Sequence, residues 1–201
     1  MAESGGDERT LAFYTREAPV YSDFAAGAED SKFLTAFADS LQQGARIMDF
    51  GCGPAWAANR FREMGFQADG FDGSEGLAAQ ARDRYGIDVT VGPFEAFDAV
   101  GLYDGIWASF CLQHDSREAM PGHLKRLHRA MLAHGKLYVG LMSGEGHERD
   151  GHDRLYTYFT ETEMRKLLDE AGFDVDSIAY KTGKRYDGSP VDELHIFATR
   201  R

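Results

Sequence analysis

The sequence is poor in cysteine, has no long apolar run and carries fewer basic than acidic residues. Its two cysteines, Cys52 and Cys111, are too few for a zinc cluster of four thiolates. Both lie at the ends of short apolar runs, which predicts buried or site-lining thiols in a reducing compartment. No apolar run approaches the roughly 20 residues that cross a bilayer, and residues 1–8 lack the pattern of a signal peptide. We therefore expect a cytoplasmic protein with no membrane partner.

The shortage of positive charge argues against one class of partner. The chain has 33 acidic and 22 basic residues, for a formal net charge of −11. Nucleic-acid binding depends on a basic surface that displaces counterions from phosphates, so we expect no nucleic-acid partner. The basic residues at 125–129 are better explained as the solvated face of a helix near its C-terminus, where cations favour the helix dipole. A small-molecule substrate is favoured.

Strand and helix patterns alternate along most of the chain, without an internal repeat or a low-complexity tract. This alternation predicts an α/β fold with a parallel sheet covered by helices on both faces, and 201 residues fit a single domain over 1–201. Two strands are predicted to end at Phe50 and Asp72. Five more are predicted over 89–91, 105–110, 136–141, 173–180 and 193–198. Helices are predicted from near Ala55, over 75–85, 118–132 and 161–171, and in an N-terminal cap at about 10–42 that comprises 11–24 and 31–41.

The most informative segment runs from Arg46 to Ala55, where a short apolar strand reaches Asp49 and then closely spaced glycines. Glycines let the backbone turn sharply and approach a ligand closely. A dinucleotide-binding turn would have the spacing GxGxxG, but its third glycine position is Trp56. A carboxylate at the end of this strand would repel a diphosphate and attract a cation. The segment therefore favours a nucleoside that carries an amine and no phosphate.

A second acid, Asp72, ends the next predicted strand and is followed by Gly73. A carboxylate there can accept hydrogen bonds from both hydroxyls of a ribose, although a capping or turn role is the commoner one for such an acid. The 23 residues that separate Asp49 from Asp72 equal one strand, helix and strand unit. That spacing favours ribose binding.

These motifs together resemble the class I S-adenosylmethionine-dependent methyltransferases, in which an acid precedes GxGxG. The last glycine is Ala55 here, and the resemblance covers about residue 45 to 201. It implies a Rossmann-like, seven-stranded, mostly parallel sheet with helices on both faces and a C-terminal antiparallel hairpin. S-adenosylmethionine would be the cofactor and S-adenosylhomocysteine the product. The implied cofactor-binding residues are Asp49, Gly51, Cys52, Gly53, Asp72, Gly73, Phe94, Ser109, Tyr14 and Tyr21.

Several of these assignments have competing explanations. The family often has an aspartate after the third strand, whereas this chain has Phe94 and Glu95, so Phe94 either flanks the adenine or belongs to the core. Tyr14 and Tyr21 either contact the sulfonium by cation–π interaction or pack as an ordinary helix face.

The segment from Tyr103 to His114 is similar to the family's fourth strand and the loop that follows it. That similarity puts His114 beneath the transferring methyl group. A neutral imidazole there could act as a general base, or it could simply hydrogen-bond the loop.

A glycine-rich, charged segment at 143–158 follows the fifth strand, where substrates of the family enter. We expect a mobile lid or substrate-gripping loop, with Arg149, Arg154 and Tyr158 as candidates for binding a polar or anionic substrate; a solvated loop is the alternative. His147 and His152 lie beside acids, but a flexible loop holds metal geometry poorly. We expect no metal site.

The sequence thus predicts a methyltransferase that acts on a small molecule by direct methyl displacement. The family's N-P-P-Y motif for amino groups of bases and glutamine is absent. One alternative is a module that binds S-adenosylmethionine or S-adenosylhomocysteine without turnover. A nicotinamide-dependent oxidoreductase is a further alternative, which Asp49 and the missing glycine disfavour.

Overall fold

A seven-stranded sheet forms the centre of the computed structural model, which describes residues 6–26 and 32–201. Its strand order is β3-β2-β1-β4-β5-β9-β8, with the first five strands parallel and the last two antiparallel. The predicted Rossmann-like sheet with its C-terminal hairpin is confirmed. The strands are β1 Arg46–Phe50, β2 Gln67–Asp72, β3 Val89–Val91, β4 Tyr103–Ser109, β5 Met131–Met142, β6 His147–Arg149, β7 Leu155–Thr157, β8 Phe173–Lys184 and β9 Pro190–Arg200.

The helices lie between the strands and in an N-terminal cap. They are α1 Glu8–Arg16, α2 Ala18–Ala26, α3 Lys32–Asp39, α4 Trp56–Glu63, α5 Glu75–Tyr85, α6 Met120–Ala130 and α7 Glu161–Glu170. A capping box of Thr160 and Glu163 opens α7. The predicted N-terminal helix at 11–24 is two helices, and the cap positions at 27–31 lie outside the described residues. No helix in the described part of the chain is long and apolar enough to span a membrane.

Both faces of the sheet are buried, as its parallel strands require. One face packs against α6 and α7 through residues such as Leu124, Leu127 and Leu168, which are 0% exposed. The other face packs against α3 and α4, where Phe37 and Phe61 surround Trp107. The carboxyl ends of the parallel strands β1, β2, β4 and β5 meet at one end of the sheet.

The segment 143–158, predicted as a loop, contains a small two-stranded sheet. Strands β6 and β7 pair antiparallel, with Glu148 opposite Tyr156. A salt bridge of 2.5 Å joins Arg149 to Asp7, the N-cap of α1. We call residues 147–157 the ribbon. The ribbon lies over the carboxyl end of the sheet, held by the N-terminal cap.

Candidate functional site

Two adjoining cavities lie at the carboxyl end of the sheet. The first, of about 90 Å³, is bounded by the ends of β1 and β2 and by α1. The second, of about 310 Å³, extends from the glycine turn across β4 and β5 to β8 and β9. They have a common wall, which is formed by Tyr14, Tyr21, Gly51, Gly53, Ser109, Phe110 and His114. The arrangement can hold two molecules side by side.

The glycine turn depends on left-handed backbone at alternate residues. Gly51, Gly53 and Ala55 have φ values of 67°, 55° and 60°, so Ala55 adopts the conformation of the family's third glycine. A Cβ on Gly51 would lie 2.2 Å from Cβ of Cys111. Only glycine fits there, and the backbone is thereby free to contact a ligand closely.

Asp49 is a buried acid in the wall of the second cavity. It is 3% exposed, and its Oδ2 accepts a hydrogen bond of 3.0 Å from the backbone N–H of Ala58 near the start of α4. Burial, with a smaller contribution from the nearby Asp72, raises the pKa of Asp49 to about 8, against the lowering effect of the Ala58 hydrogen bond. One hydrogen bond leaves acceptor capacity on the carboxylate. Asp49 is suited to bind a cation.

Asp72 lies in the wall of the first cavity and joins two turns. Its Oδ2 accepts from the N–H of Gly53 at 2.7 Å and its Oδ1 from the N–H of Ser74 at 2.8 Å. Ser74, not Asp72, caps α5. Burial raises the pKa of Asp72, while the backbone hydrogen bonds act in the opposite direction. A carboxylate has about four acceptor positions, so hydroxyl groups of a ligand can still bind.

The remaining cofactor candidates surround these acids. Gly73 and Phe94 line the first cavity, Cys52 lines the second and Ser109 lines both. Phe94 also packs against Phe50, with ring centroids 4.7 Å apart, so its ring both lines the cavity and belongs to the core. Burial raises the pKa of the Cys52 thiol. Glu95, the next residue, does not line either cavity and faces His123 at 4.0 Å.

Glu95 is also part of a small polar cluster on the far side of Phe94. The cluster, formed by Glu95, Asp115 and His123, is the group among the described residues whose ligand atoms are close enough to hold a metal ion. Nε2 of His123 lies 2.8 Å from Oδ2 of Asp115. The hydrogen bond lowers the pKa of Asp115, although burial opposes it. This hydrogen bond accounts for the contact between His123 and Asp115, whereas Oε2 of Glu95 and Nδ1 of His123 are buried without a hydrogen-bond partner from the residues that the structure describes.

His114 lies in the wall between the cavities with both ring nitrogens engaged. Nε2 is 2.9 Å from the hydroxyl of Tyr14, and Nδ1 is 2.7 Å from the carbonyl oxygen of Leu155. The carbonyl can only accept, so Nδ1 carries the proton and Nε2 accepts from Tyr14. Burial lowers the pKa of His114 to about 4. The neutral ring anchors Tyr14 to the ribbon, which favours the architectural alternative over a general base.

Tyr14 and Tyr21 face both cavities, and Arg154 lies behind Tyr14. The two tyrosine rings pack edge to face at 4.8 Å. Arg154, whose side chain is 3% exposed, donates to Asp150 at 2.6 Å and to the hydroxyl of Tyr14 at 3.1 Å. Its guanidinium also lies 4.7 Å from the ring of Phe13 and 5.2 Å from that of Tyr186. Arg154 lines the second cavity, but Asp150 already neutralises its charge.

The two other substrate candidates lie away from the cavities. Arg149 pairs with Asp7 at 2.5 Å, and Tyr158 donates to Glu148 at 2.5 Å. Neither lines the first or the second cavity, because both side chains are used to hold the ribbon. We therefore withdraw Arg149 and Tyr158 as substrate-binding candidates and assign them to the ribbon's attachment.

The second cavity has walls that the sequence motifs did not reveal. Trp107 and Tyr138 stack at 3.7 Å, and Phe110 has a positive φ of 54° directly after β4. A signal was present in β9, where Glu193 and His195 interrupt an apolar strand on alternate positions. The further lining residues from the C-terminal hairpin are Lys181, Lys184, Arg185 and Tyr186.

Comparisons with known proteins agree with this geometry. A family model described as a methyltransferase domain matches residues 25–178, and the chain belongs to that family. A comparison with curated protein sequences gave no match.

Solved structures are similar across most of the chain. The 1,6-didemethyltoxoflavin-N1-methyltransferase of Burkholderia thailandensis, with bound 1,6-didemethyltoxoflavin and S-adenosylhomocysteine, has a TM-score of 0.72 at 21% identity, covering 100% of this chain and 92% of its own. A TehB-like S-adenosylmethionine-dependent methyltransferase from Corynebacterium glutamicum has a TM-score of 0.70 at 18% identity, with 94% and 99% covered. The [4+2]-cyclase SpnF has a TM-score of 0.68 at 15% identity, with 84% and 80% covered. The fold is therefore that of these proteins, and the cofactor is S-adenosylmethionine.

Proposed function

We propose that this methyltransferase-domain protein transfers the methyl group of S-adenosylmethionine to a small molecule by direct displacement. The observation that carries the proposal is the pair of cavities with a common wall at Gly51, Ser109 and His114. One cavity suits the nucleoside and the other adds room for an acceptor. Methyl transfer needs the two molecules aligned side by side.

The cofactor half has the donors and acceptors that the ligand requires. Asp49 would bind the ammonium group of the methionine part, with the backbone of Gly51 and Gly53 beside it. Asp72 would accept the ribose hydroxyls, and Phe94 would flank the adenine. When bound, S-adenosylmethionine supplies an electrophilic methyl group on a sulfonium sulfur. Tyr14 and Tyr21 would face that cation with their rings.

The acceptor half suits a compact, flat molecule with a negative or strongly polar group. Aromatic rings of Phe33, Phe110 and Tyr156 line the second cavity, and Lys184 of β8 lies in its wall. Lys181 and Arg185 line it as well, but they pair with Glu193 and Glu148. A volume of about 310 Å³ is in the range of sites for small ligands. The similar Burkholderia thailandensis enzyme has bound 1,6-didemethyltoxoflavin.

The main contributions of the protein to the rate would be alignment and exclusion of water. The ribbon and the N-terminal cap cover the site, and the hydrogen bond from Tyr14 to His114 holds the cap on the ribbon side. Positioning of two reactants accounts for large accelerations without acid or base catalysis. Among the alternatives, a binding module without turnover would need only the part of the second cavity beside Asp49 and the glycine turn, and not the part lined by β8 and β9.

Two measurements test the proposal. Calorimetry should give micromolar binding of S-adenosylmethionine and S-adenosylhomocysteine and no measurable binding of NAD. A transfer screen with radiolabelled methyl donor over metabolite extracts and small phenols, carboxylates and heterocycles should then label a low-mass product. Binding of S-adenosylmethionine without labelling of any acceptor would support the non-catalytic alternative, and binding of NAD alone would refute the proposal.

A further inference from the structure

A chain of hydrogen-bonded side chains runs along the wall of the second cavity. Oη of Tyr138 lies 2.6 Å from Nδ1 of His195, and Nε2 of His195 lies 3.1 Å from Oε2 of Glu193. All three side chains line the second cavity. The chain therefore begins at a hydroxyl group in the cavity wall and ends at a carboxylate.

The chain is closed off from water along most of its length. Tyr138, His195 and Glu193 are 1%, 3% and 8% exposed. The ring of Phe33 stacks on His195 at 3.7 Å, and Phe110 meets it edge-on at 5.8 Å. A buried carboxylate is costly unless it is paired, and here its partners are His195 and, at 3.9 Å, Lys181.

Two glycines, one in each of the strands that flank β9, leave room for these hydrogen-bonded side chains. A Cβ on Gly140 would lie 3.0 Å from Oη of Tyr138, and a Cβ on Gly183 would lie 1.7 Å from Oε1 of Glu193. The register brings these positions together, since Gly140 lies opposite both Ser109 and His195. Any other residue at 183 would displace the carboxylate.

The donors and acceptors have one consistent direction. The carboxylate of Glu193 can only accept, so Nε2 of His195 carries the proton and Nδ1 accepts from Tyr138. Burial and the charge of Glu193 raise the pKa of Tyr138, while Ser109 acts in the opposite direction. A proton from an acceptor in the cavity can thus reach the lone pair of His195 through the hydroxyl group of Tyr138.

We propose that Tyr138, His195 and Glu193 form a proton relay that removes the proton of the acceptor group as it is methylated. This rests on the function proposed above and implies an acceptor with a hydroxyl or N–H group. The acceptor's lone pair bonds to the methyl carbon, and the electron pair of the broken C–S bond stays on sulfur. The acceptor's proton passes to Oη of Tyr138, and the proton of Tyr138 passes to Nδ1 of His195. The resulting imidazolium pairs with Glu193 and later releases its proton to water.

The relay is tested first without any acceptor, by nitrogen NMR of the full chain with labelled histidine and bound S-adenosylhomocysteine. At neutral pH the resonances of His195, assigned by their loss in His195→Gln, should be those of a neutral ring protonated at Nε2. Tyr138→Phe should shift Nδ1, and Tyr180→Phe should not, because Tyr180 is 61% exposed on β8 and bonds Glu161. A ring protonated at Nδ1, or doubly protonated, cannot take a proton from Tyr138 and would overturn the proposal.

The second arm uses the acceptor that the transfer screen identifies. Tyr138→Phe and His195→Gln should lower kcat by roughly 10²- to 10⁴-fold, the usual scale for positioned proton transfer, with unchanged affinity for S-adenosylhomocysteine. Glu193→Gln should shift the pH profile of kcat. Folded variants that bind S-adenosylhomocysteine normally and keep full turnover would refute the relay and leave the proposed function intact. If one of the two variants Tyr138→Phe and His195→Gln does not fold, the other gives the same comparison.

Discussion

At the scale of single residues, burial makes the charged form of an acidic group at this site less stable than it would be in water. Asp49 is the clearest case. Its pKa rises from the ordinary 3.8 to about 8 because the carboxyl is buried. The folded protein therefore holds a proton there that the unfolded chain releases. Between pH 3.8 and about 8, the contribution of Asp49 to the free energy of unfolding falls as pH rises, and it is lost above about pH 8.

This shift predicts that cofactor binding releases protons. At pH 7 much of Asp49 is protonated, and binding of a cationic ammonium requires the carboxylate. The heat of S-adenosylhomocysteine binding at pH 7 should therefore depend on the ionisation enthalpy of the buffer. Asp49→Asn should weaken binding and remove this dependence while keeping the ligand-free protein folded. A buffer-independent heat in the wild-type protein would contradict the role given to Asp49.

His114 provides a second prediction at this scale. Because its pKa is about 4 and both nitrogens are hydrogen-bonded, glutamine can replace it by donating to Leu155 and accepting from Tyr14. His114→Gln should change affinity for S-adenosylhomocysteine and kcat only a few-fold. His114→Ala should weaken cofactor binding because Tyr14 loses its anchor. A loss of roughly 10²-fold or more in kcat for the glutamine variant would restore the general-base role.

At the scale of elements, the turn between β1 and α4 is built around a steric constraint. Gly51 has a positive φ, and its missing Cβ leaves the space that the Cys111 side chain occupies. Cys111 in turn donates from Sγ to the carbonyl oxygen of Phe50 at 3.0 Å. The turn and the end of β4 therefore fit together only when residue 51 is glycine.

Two alanine substitutions separate the steric cost of an added Cβ from the cost of a left-handed backbone conformation. Gly86, the C-cap of α5, has a φ of 65° and nothing within 4 Å of an added Cβ. Gly86→Ala should lower the free energy of unfolding by about 1–2 kcal/mol, the cost of a left-handed alanine. Gly51→Ala adds an overlap with Cys111 worth about 1–3 kcal/mol more, and it should also abolish cofactor binding. Urea unfolding measures both; equal losses would show that the contact with Cys111 is unimportant.

At the scale of the whole molecule, Arg154 connects segments that lie far apart in the sequence. Its guanidinium contacts Phe13 and Tyr14 of α1, Asp150 of the ribbon and Tyr186 in the turn after β8. These segments cover the two cavities. Their joint attachment explains how a densely charged ribbon is held in place.

Replacement of Arg154 should lower both the stability of the protein and its affinity for S-adenosylhomocysteine. Arg154→Met leaves Asp150 without its partner, and breaking a buried pair costs about 3–5 kcal/mol; the partial exposure of Asp150 sets the expectation at the lower end. Arg9→Met is a matched control, since Arg9 pairs with Asp153 across exposed surface and such pairs contribute at most about 1 kcal/mol. Thermal unfolding with and without S-adenosylhomocysteine measures both effects. Equal changes in thermal unfolding for the two variants would show that Arg154 does not have this connecting role.

The sequence predicted the sheet, and it identified cofactor candidates that the fold brings to one end of that sheet, because the determinants are local. Asp49, Gly51 and Asp72 each lie at a strand end that can be read from a few neighbouring residues. The acceptor half has no such local pattern. Tyr138 and His195 are 57 residues apart, and only the antiparallel pairing of β5 with β9 brings them together. The attachment of the ribbon through Arg149 and Tyr158 likewise depends on contacts that a charged, glycine-rich sequence does not specify.

The position of β9 also affects how the protein can fold. This strand, residues 190–200, lies between β5 and β8 and follows both of them in the sequence. Until it is available, β5 presents an unpaired edge with buried residues such as Leu137 and Val139, which is a template for pairing with another chain. We expect synthesis and refolding to pass through an aggregation-prone stage. A version shortened at residue 189 should aggregate, although every residue of the glycine turn is present in it.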